Sequence, residues 1–174
     1  MDSDWAGDND DRKSQLGYLI TLGGSPAIWK SAKQTCIASS TMEAEYVALA
    51  SCVKEVLWIR QLFKKFDLGD LLNGPTLVRC DNQAAIACAR DPVPRGKSRH
   101  IDIKYHLVRN AVEEGHMEVK YVTSDGNLAD ILTKSLPRPR HQELTAAPKI
   151  GSGALNNMPL LISPLRSEAA ELAP

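Results

Sequence analysis

Four acidic residues that lie far apart in the chain, Asp2, Glu45, Asp81 and Asp130, fall where the sequence pattern ends a strand or starts a helix. Asp2 precedes the first apolar segment, and Glu45 lies in the first turns of a long helical pattern. Asp81 closes a short apolar run, and Asp130 falls in the first turns of the last helical pattern. In α/β sheets such ends converge on one edge, so the four carboxylates can share a site. Close carboxylates repel and raise one another's pKa unless a cation lies among them, and hard divalent ions with oxygen ligands meet that need. Mg²⁺ or Mn²⁺ is the expected occupant. Two such ions, about 3.5–4 Å apart, activate a water and stabilise a leaving oxygen in phosphodiester cleavage. The pattern alone also admits plainer roles, with Asp81 as a helix cap and Glu45 as a carboxylate favoured near a helix N-terminus.

The elements that must position these acids can be read from periodicity. Gly17 to Leu22 is an apolar, partly β-branched run stopped by Gly23-Gly24-Ser25-Pro26, and strand-like character resumes at Ala27 to Lys30 and again at Gln34 to Ala38. An antiparallel meander is expected there. Ser40-Thr41-Met42-Glu43 has the capping-box form and opens an amphipathic helix of about 25 residues, ending near Phe66 before Gly69. Thr76 to Cys80 reads as a buried strand, and Asp81 is placed to cap a helix over Asn82 to Ala89. Beyond Pro92 and Pro94, Ile101, Tyr105, Val108 and Val112 mark a second long helix stopped by Gly115. Met117, Val119, Tyr121 and Thr123 keep a period of two, and a last short helix carries Leu128, Ile131 and Leu132. Strands first, then strands alternating with helices, imply an α/β fold: a mixed sheet with helices on both faces.

Composition sets the outer limits. The chain has 174 residues, enough for one core, and 43% hydrophobic content places it with folded domains rather than disordered chains. The four cysteines form neither a C-x-x-C pair nor a zinc-finger spacing, so reduced, mostly buried thiols are expected. Six of the ten prolines lie after residue 136 in an aperiodic stretch, which divides the chain into a folded unit, 1–136, and a flexible Pro/Ala-rich tail, 137–174. No apolar run is long enough to span a bilayer, and the start Met1-Asp2-Ser3-Asp4 lacks a basic-plus-apolar signal, so an intracellular location is expected, in a cytoplasmic particle or the nucleus. Lys plus Arg and Asp plus Glu both number 21, so any phosphate-binding surface must be local. One candidate is the run Arg95, Lys97, Arg99, Lys104 and Arg109, which also reads as a solvated helix face. Asn82 and Gln83, directly after Asp81, could hydrogen-bond a substrate or simply supply helix polarity.

Seven blocks in order resemble the ribonuclease H domain of copia-type LTR retrotransposon Pol polyproteins. They are Asp2-Ser3-Asp4-Trp5-Ala6-Gly7-Asp8, Asp11-Arg12-Lys13-Ser14, Ser39-Ser40-Thr41-Met42-Glu43-Ala44-Glu45-Tyr46, Lys54-Glu55-Val56-Leu57-Trp58-Ile59-Arg60, Cys80-Asp81-Asn82-Gln83-Ala84-Ala85-Ile86, Lys97-Ser98-Arg99-His100-Ile101-Asp102-Ile103-Lys104-Tyr105-His106, and Asn127-Leu128-Ala129-Asp130-Ile131-Leu132-Thr133-Lys134. The resemblance covers residues 1–136. It implies a ribonuclease H-like fold, a five-stranded mixed sheet with helices on both faces, and two-metal hydrolysis of the RNA strand of RNA/DNA hybrids. It assigns the four acidic ligands to Asp2, Glu45, Asp81 and Asp130, taking Asp2 rather than Asp4 in the first block. It also implies a reverse transcriptase domain as a partner within a parent polyprotein.

The sequence departs from the family in three places, one of them the stretch after Leu136, where the resemblance fades. The loop Thr123-Ser124-Asp125-Gly126-Asn127 has no histidine where cellular relatives carry one. The first strand begins several residues before its aspartate in the family, whereas only Met1 precedes Asp2 here. An N-terminally truncated first strand is therefore expected, with unpaired backbone groups on its neighbours and a loosely anchored Asp2. Two other readings stand beside the endonuclease: a non-catalytic relic that keeps the fold and weak nucleic-acid binding, and another metal-dependent nuclease or integrase-type domain on the same fold.

Overall fold

The computed structural model describes residues 1–7, 10–72, 74–91, 99–146 and 160–162, of which 99–101 and 160–162 are described by their backbone. Three antiparallel strands come first: β1 (Asp2–Asp4), β2 (Gln15–Leu22) and β3 (Ser25–Lys33). The central strand of the three is β2, whose residues 16–21 are all buried. Its side chains alternate between two cores, as a strand's period of two requires. Leu16, Tyr18 and Ile20 face the main core, while Leu19 packs with Leu128 and Leu144 on the opposite side. The third strand is an exposed edge and tolerates Pro26, which lacks an amide to donate. The meander ends at Lys33. Gln34, expected to begin another strand segment, is instead buried and donates through Nε2 to Ser3 Oγ (3.1 Å) and to the Ala44 carbonyl (2.9 Å), tying β1 to the helix that follows.

That helix, α1 (Thr41–Lys65), begins as the sequence predicts, with Ser40 Oγ accepting from the Glu43 amide at 3.2 Å. The reciprocal half of the cap differs: the Glu43 carboxylate accepts from the Ser39 amide (2.9 Å) and hydroxyl rather than from Ser40. Residues 43–50 are buried on every side because α1 lies between the sheet and α3 (Arg99–Glu113). Tyr46 and Tyr105 meet at this contact with ring centroids 4.2 Å apart. The helix is stopped by Asp67 in the left-handed conformation (φ 59°), not by Gly69. Gly115 does stop α3, at φ 68°, with its amide on Val112 and the His116 amide on Ala111.

Two parallel strands, β4 (Thr76–Cys80) and β5 (Met117–Tyr121), form the other part of the sheet, with α2 (Gln83–Arg90) between them in sequence. The five-stranded sheet expected for residues 1–136 is not continuous. Three-residue β1 meets five-residue β4 at its tip, where the Met1 amine donates to the Arg79 carbonyl at 3.1 Å. A sixth strand, β6 (Leu160–Ile162), lies between β2 and β4 and joins the two parts.

Two further expectations change. The last short helix is a pair of 3-10 turns, Ser124–Gly126 and Leu128–Leu132. The segment after residue 136, expected to be a flexible tail, contains α4 (Arg138–Ala146) as well as β6. Helix α4 buries Leu144 in the second core. That core is why it folds: Leu144 covers Leu19 and Leu128, which would otherwise face water. Among the described residues, no helix is long and apolar enough to cross a membrane.

Candidate metal centre

The four acids come from four elements and meet at one place. Asp2 is on β1, Glu45 one turn into α1, Asp81 at the bend after β4, and Asp130 in the 3-10 turn Leu128–Leu132. Carboxylate oxygens of Asp2, Asp81 and Asp130 lie within 4.8 Å of one another, and so do ligand atoms of Glu45, Cys80 and Asp81. Asp81 belongs to both sets, so the two triads form one centre. Asp2, Glu45 and Asp130 are buried and Asp81 is half-buried. Asp81 is left for this role because α2 is capped by Asn82, whose Oδ1 accepts from the Ala85 amide at 3.0 Å.

Fixed donors orient the acids. Asp2 Oδ1 accepts from Asn127 Nδ2 (3.3 Å) and Lys134 Nζ (3.3 Å), and its Oδ2 accepts from the Thr133 hydroxyl. Glu45 Oε1 accepts from the Ser3 amide at 2.9 Å. Its Oε2 is buried with no hydrogen-bond partner among the described residues. A buried carboxylate oxygen without a donor is costly, and a cation is the natural remedy. Burial, followed by the charges of Asp2 and Asp81, pushes the Glu45 carboxyl up to about 8. Burial and then Asp2 push Asp130 up to about 6, against the opposing pull of Lys134. Lys134 supplies positive charge to the cluster, with Nζ 3.0 Å from Asp130 Oδ1 and 3.3 Å from Asp2 Oδ1. Burial works against its charge, but the two carboxylates outweigh burial and the net shift is upward. The chemistry of the donor set, hard oxygens with unrelieved repulsion, fits Mg²⁺ or Mn²⁺. Cys80 is a poor ligand for such an ion, and burial, then Glu45, pushes its thiol up to about 12.

The expected substrate-binding residues are dispersed. Arg95 and Lys97 lie outside the described residues, and Arg99 opens α3 with only its backbone described. Arg109 is buried on the inner side of α3, with Nε donating to the Tyr105 carbonyl at 3.4 Å, so it is not an exposed phosphate ligand. The side-chain oxygen of Asn82 is used by its cap, whereas Gln83, two residues after Asp81, is exposed. Lys104 reaches away from its own helix, placing Nζ 3.5 Å from Cys36 Sγ. There it lines a cleft of about 180 Å³ with Lys30, Lys33 and Lys54, three lysines that the sequence does not single out. Lys33 also borders a second concavity with Lys13, Asp4 and Thr133, and Thr133 bonds Asp2. Lys33 thus borders both concavities, and Lys13 and Lys33 each pair with Asp11, at 3.2 and 3.5 Å. Asn127, Thr133 and Lys134 were likewise not assigned roles from sequence, although all three sit in the last matching block.

A segment of 150 residues, 86% of this chain, is 41% identical to the retrovirus-related Pol polyprotein from transposon RE1 of Arabidopsis thaliana. The corresponding Pol polyprotein from transposon TNT 1-94 of Nicotiana tabacum is 38% identical over 137 residues, or 79% of the chain. The chain is homologous to a stretch of transposon Pol polyproteins. It spans only 10% of the length of each of these Pol relatives. The likeness extends to yeast: the Gag-Pol polyprotein of transposon Ty1-JR2 of Saccharomyces cerevisiae is 28% identical over 126 residues. No family model and no solved structure matches the chain.

Proposed function

We propose that this Pol-related chain has a ribonuclease H-like fold of the copia type and is an endoribonuclease that hydrolyses the RNA strand of RNA/DNA hybrids. The observation that carries the reading is the meeting of Asp2, Glu45, Asp81 and Asp130, from four separate elements, around a deficit of positive charge. In a Pol context the phosphodiester substrate would be a product of reverse transcription, and a reverse transcriptase domain is the expected neighbour. Asp2, Asp81 and Asp130 would hold one divalent ion, and Glu45 with Asp81 a second. When bound, such ions lower the pKa of a water and stabilise the leaving oxygen of the phosphodiester.

The chain's own residues prepare the site for that work. The Thr133 hydroxyl and the Asn127 amide hold Asp2 from two sides, so its oxygens cannot rotate away from Asp81 and Asp130. The Ser3 amide fixes one oxygen of Glu45 and leaves the other buried and without a partner among the described residues. Gln83, at the start of α2 two residues after Asp81, would meet the phosphodiester, and Lys13 and Lys33, which share a concavity with Thr133, would meet the strand beyond it. Lysine and hydroxyl contacts position a backbone without reading bases, as a nuclease of broad sequence tolerance requires.

The test is cleavage of a labelled RNA/DNA hybrid by the purified full chain with Mg²⁺. Asp81→Asn keeps the shape of the side chain and removes a shared ligand, and a loss of at least about 10²-fold is expected. Cleavage that survives Asp81→Asn overturns the site. Folded parent protein that binds the hybrid but does not cleave it supports the non-catalytic relic instead.

A further inference from the structure

The Glu45 carboxylate accepts one hydrogen bond among the described residues, from the Ser3 amide at 2.9 Å. Its place relative to Asp2 therefore depends on how α1 sits against β1. At that contact lies Gln34, which is 2% exposed. Its Nε2 donates in two directions, to Ser3 Oγ at 3.1 Å and to the Ala44 carbonyl at 2.9 Å. Ser3 follows Asp2 on β1 and Ala44 precedes Glu45 on α1, so one carboxamide nitrogen spans the immediate neighbours of two acids of the centre. The tie is anchored beyond both ends. The Ser3 hydroxyl donates onward to the Gln15 carbonyl at 3.0 Å, and the Gln34 backbone amide donates to the Ser14 carbonyl at 2.8 Å.

The other carboxamide atom, Oε1, is buried with no hydrogen-bond partner among the described residues. A buried acceptor left empty costs free energy, and a methionine of similar length would avoid that cost. Glutamine repays it with two donors on one nitrogen, where glutamate would bring none and lysine would bring a charge. We infer that Gln34 is a positioning residue of the metal centre: by joining Ser3 to Ala44 it keeps the Ser3 amide on Glu45 and sets the spacing of Asp2 and Glu45. Its effect on metal presupposes the two-ion centre proposed above, in which Glu45 and Asp81 share the second ion. Groups that orient a ligating side chain from behind are worth roughly 10–100-fold in metal affinity, and Gln34 acts on Glu45 through one intermediary, Ser3.

The test uses the full chain with Gln34→Met, which keeps the length of the side chain and removes both donors, and with Ser3→Ala, which removes the acceptor and leaves Gln34 in place. In EDTA, the amide of residue 3 should exchange with solvent about tenfold faster or more in each variant, with the amides paired between β2 and β3 unchanged. In calorimetry with Mn²⁺, one of two ions should bind roughly 10–100-fold more weakly in each variant while the other is little changed. The double variant should bind Mn²⁺ no more weakly than the weaker single one, since both substitutions remove the same bond. Leu144→Ala, in the second core, lowers stability and should move neither readout. Unchanged exchange at residue 3, unchanged Mn²⁺ binding, or an equal response to Leu144→Ala overturns the inference. If Gln34→Met does not fold, Ser3→Ala decides it on the same two readouts. A parent that takes up no Mn²⁺ overturns the proposed centre and this role with it, whereas two ions bound alike by parent and variants overturn the role of Gln34 alone.

Discussion

At the scale of single residues, the centre holds more negative charge than its surroundings can balance, and its titration should show this. Glu45 and Asp130 carry folded-state pKa values of about 8 and about 6, above ordinary values of 4.5 and 3.8. A carboxyl whose pKa is raised on folding binds its proton more tightly in the folded state, so its contribution to stability is present at low pH and lost as pH rises. Metal-free protein should therefore melt at a lower temperature at pH 8 than at pH 5, by about 3 °C or more. Millimolar Mg²⁺ should recover most of that difference at pH 8, because it binds the ionised site of the folded chain alone. Thermal melts in EDTA and in Mg²⁺ across this range check both statements. Lys134 sharpens the expectation. Its amine lies between Asp2 and Asp130, in the region a cation bridging those two acids would need. Lys134→Met should lower the melting temperature in EDTA at pH 8 and yet tighten Mg²⁺ binding in calorimetry, since the ion no longer competes with an ammonium group. Weaker binding in the variant would mean that Lys134 assists the metal instead of standing in for it.

At the scale of elements, the centre depends on how closely the turn bearing Asp130 sits on β2. A Cβ built at Gly17 would lie 2.8 Å from Leu132 Cβ and 2.8 Å from Thr133 Cγ2, and 3.3 Å from the Ala129 carbonyl. Gly17 is also the residue opposite Asp2 in the β1–β2 pairing. Gly17→Ala should force the 3-10 turn outward, costing about 1–3 kcal/mol as overpacking does and weakening Mg²⁺ affinity at the same time. Urea denaturation and metal titration of the one variant check the pair of effects; lost stability with unchanged affinity would separate the turn from the site. This contact also shows why some elements were legible in the sequence and others not. The first turn of α1 and the burial of β4 follow from local signals, a Ser-x-x-Glu cap and a short apolar run, and the structure has both. The turn at Leu128–Leu132 carries helix-like apolar spacing, but the Asn127 side chain caps Ala129 at 3.2 Å and the Thr133 and Lys134 amides both turn back onto the Asp130 carbonyl. The short turn is fixed by what it packs on, and spacing alone does not reveal that. Similarly, the pairing of β6 with β2 and β4 joins residues about 140 and 80 positions apart, for which no local periodicity exists.

At the scale of the whole molecule, equal numbers of acidic and basic residues conceal a separation of charge. Glu45 and Asp81 were legible because the start of α1 and the end of β4 are fixed by local pattern, whereas the turn that carries Asp130 is set by its packing. The cations were not legible, because Lys30, Lys33, Lys54 and Lys104 come from β3, α1 and α3 and become neighbours only when these pack. The run expected to bind phosphate, 95–109, loses Arg109 to the interior and contributes Lys104 to the cleft. Arg109 could not be sorted from its neighbours by charge, since it follows Tyr105 by one helical turn and so shares the buried face. A molecule with four grouped lysines and no net charge should bind an RNA/DNA hybrid weakly and with a limited dependence on salt. Each phosphate contact releases roughly 0.9 counterion, so log affinity against log salt should fall with a slope no steeper than about −4. Lys33→Ala and Lys54→Ala should each make that slope shallower by about 1, measured by fluorescence anisotropy with Ca²⁺ in place of Mg²⁺ to hold off cleavage. Lys120→Ala, on the opposite edge strand β5 and 3.2 Å from Glu118, should leave it unchanged. Equal effects from all three variants would place the substrate by general attraction and not in the lysine-lined cleft; no effect at Lys33 and Lys54 would send the hybrid out of the centre by another face.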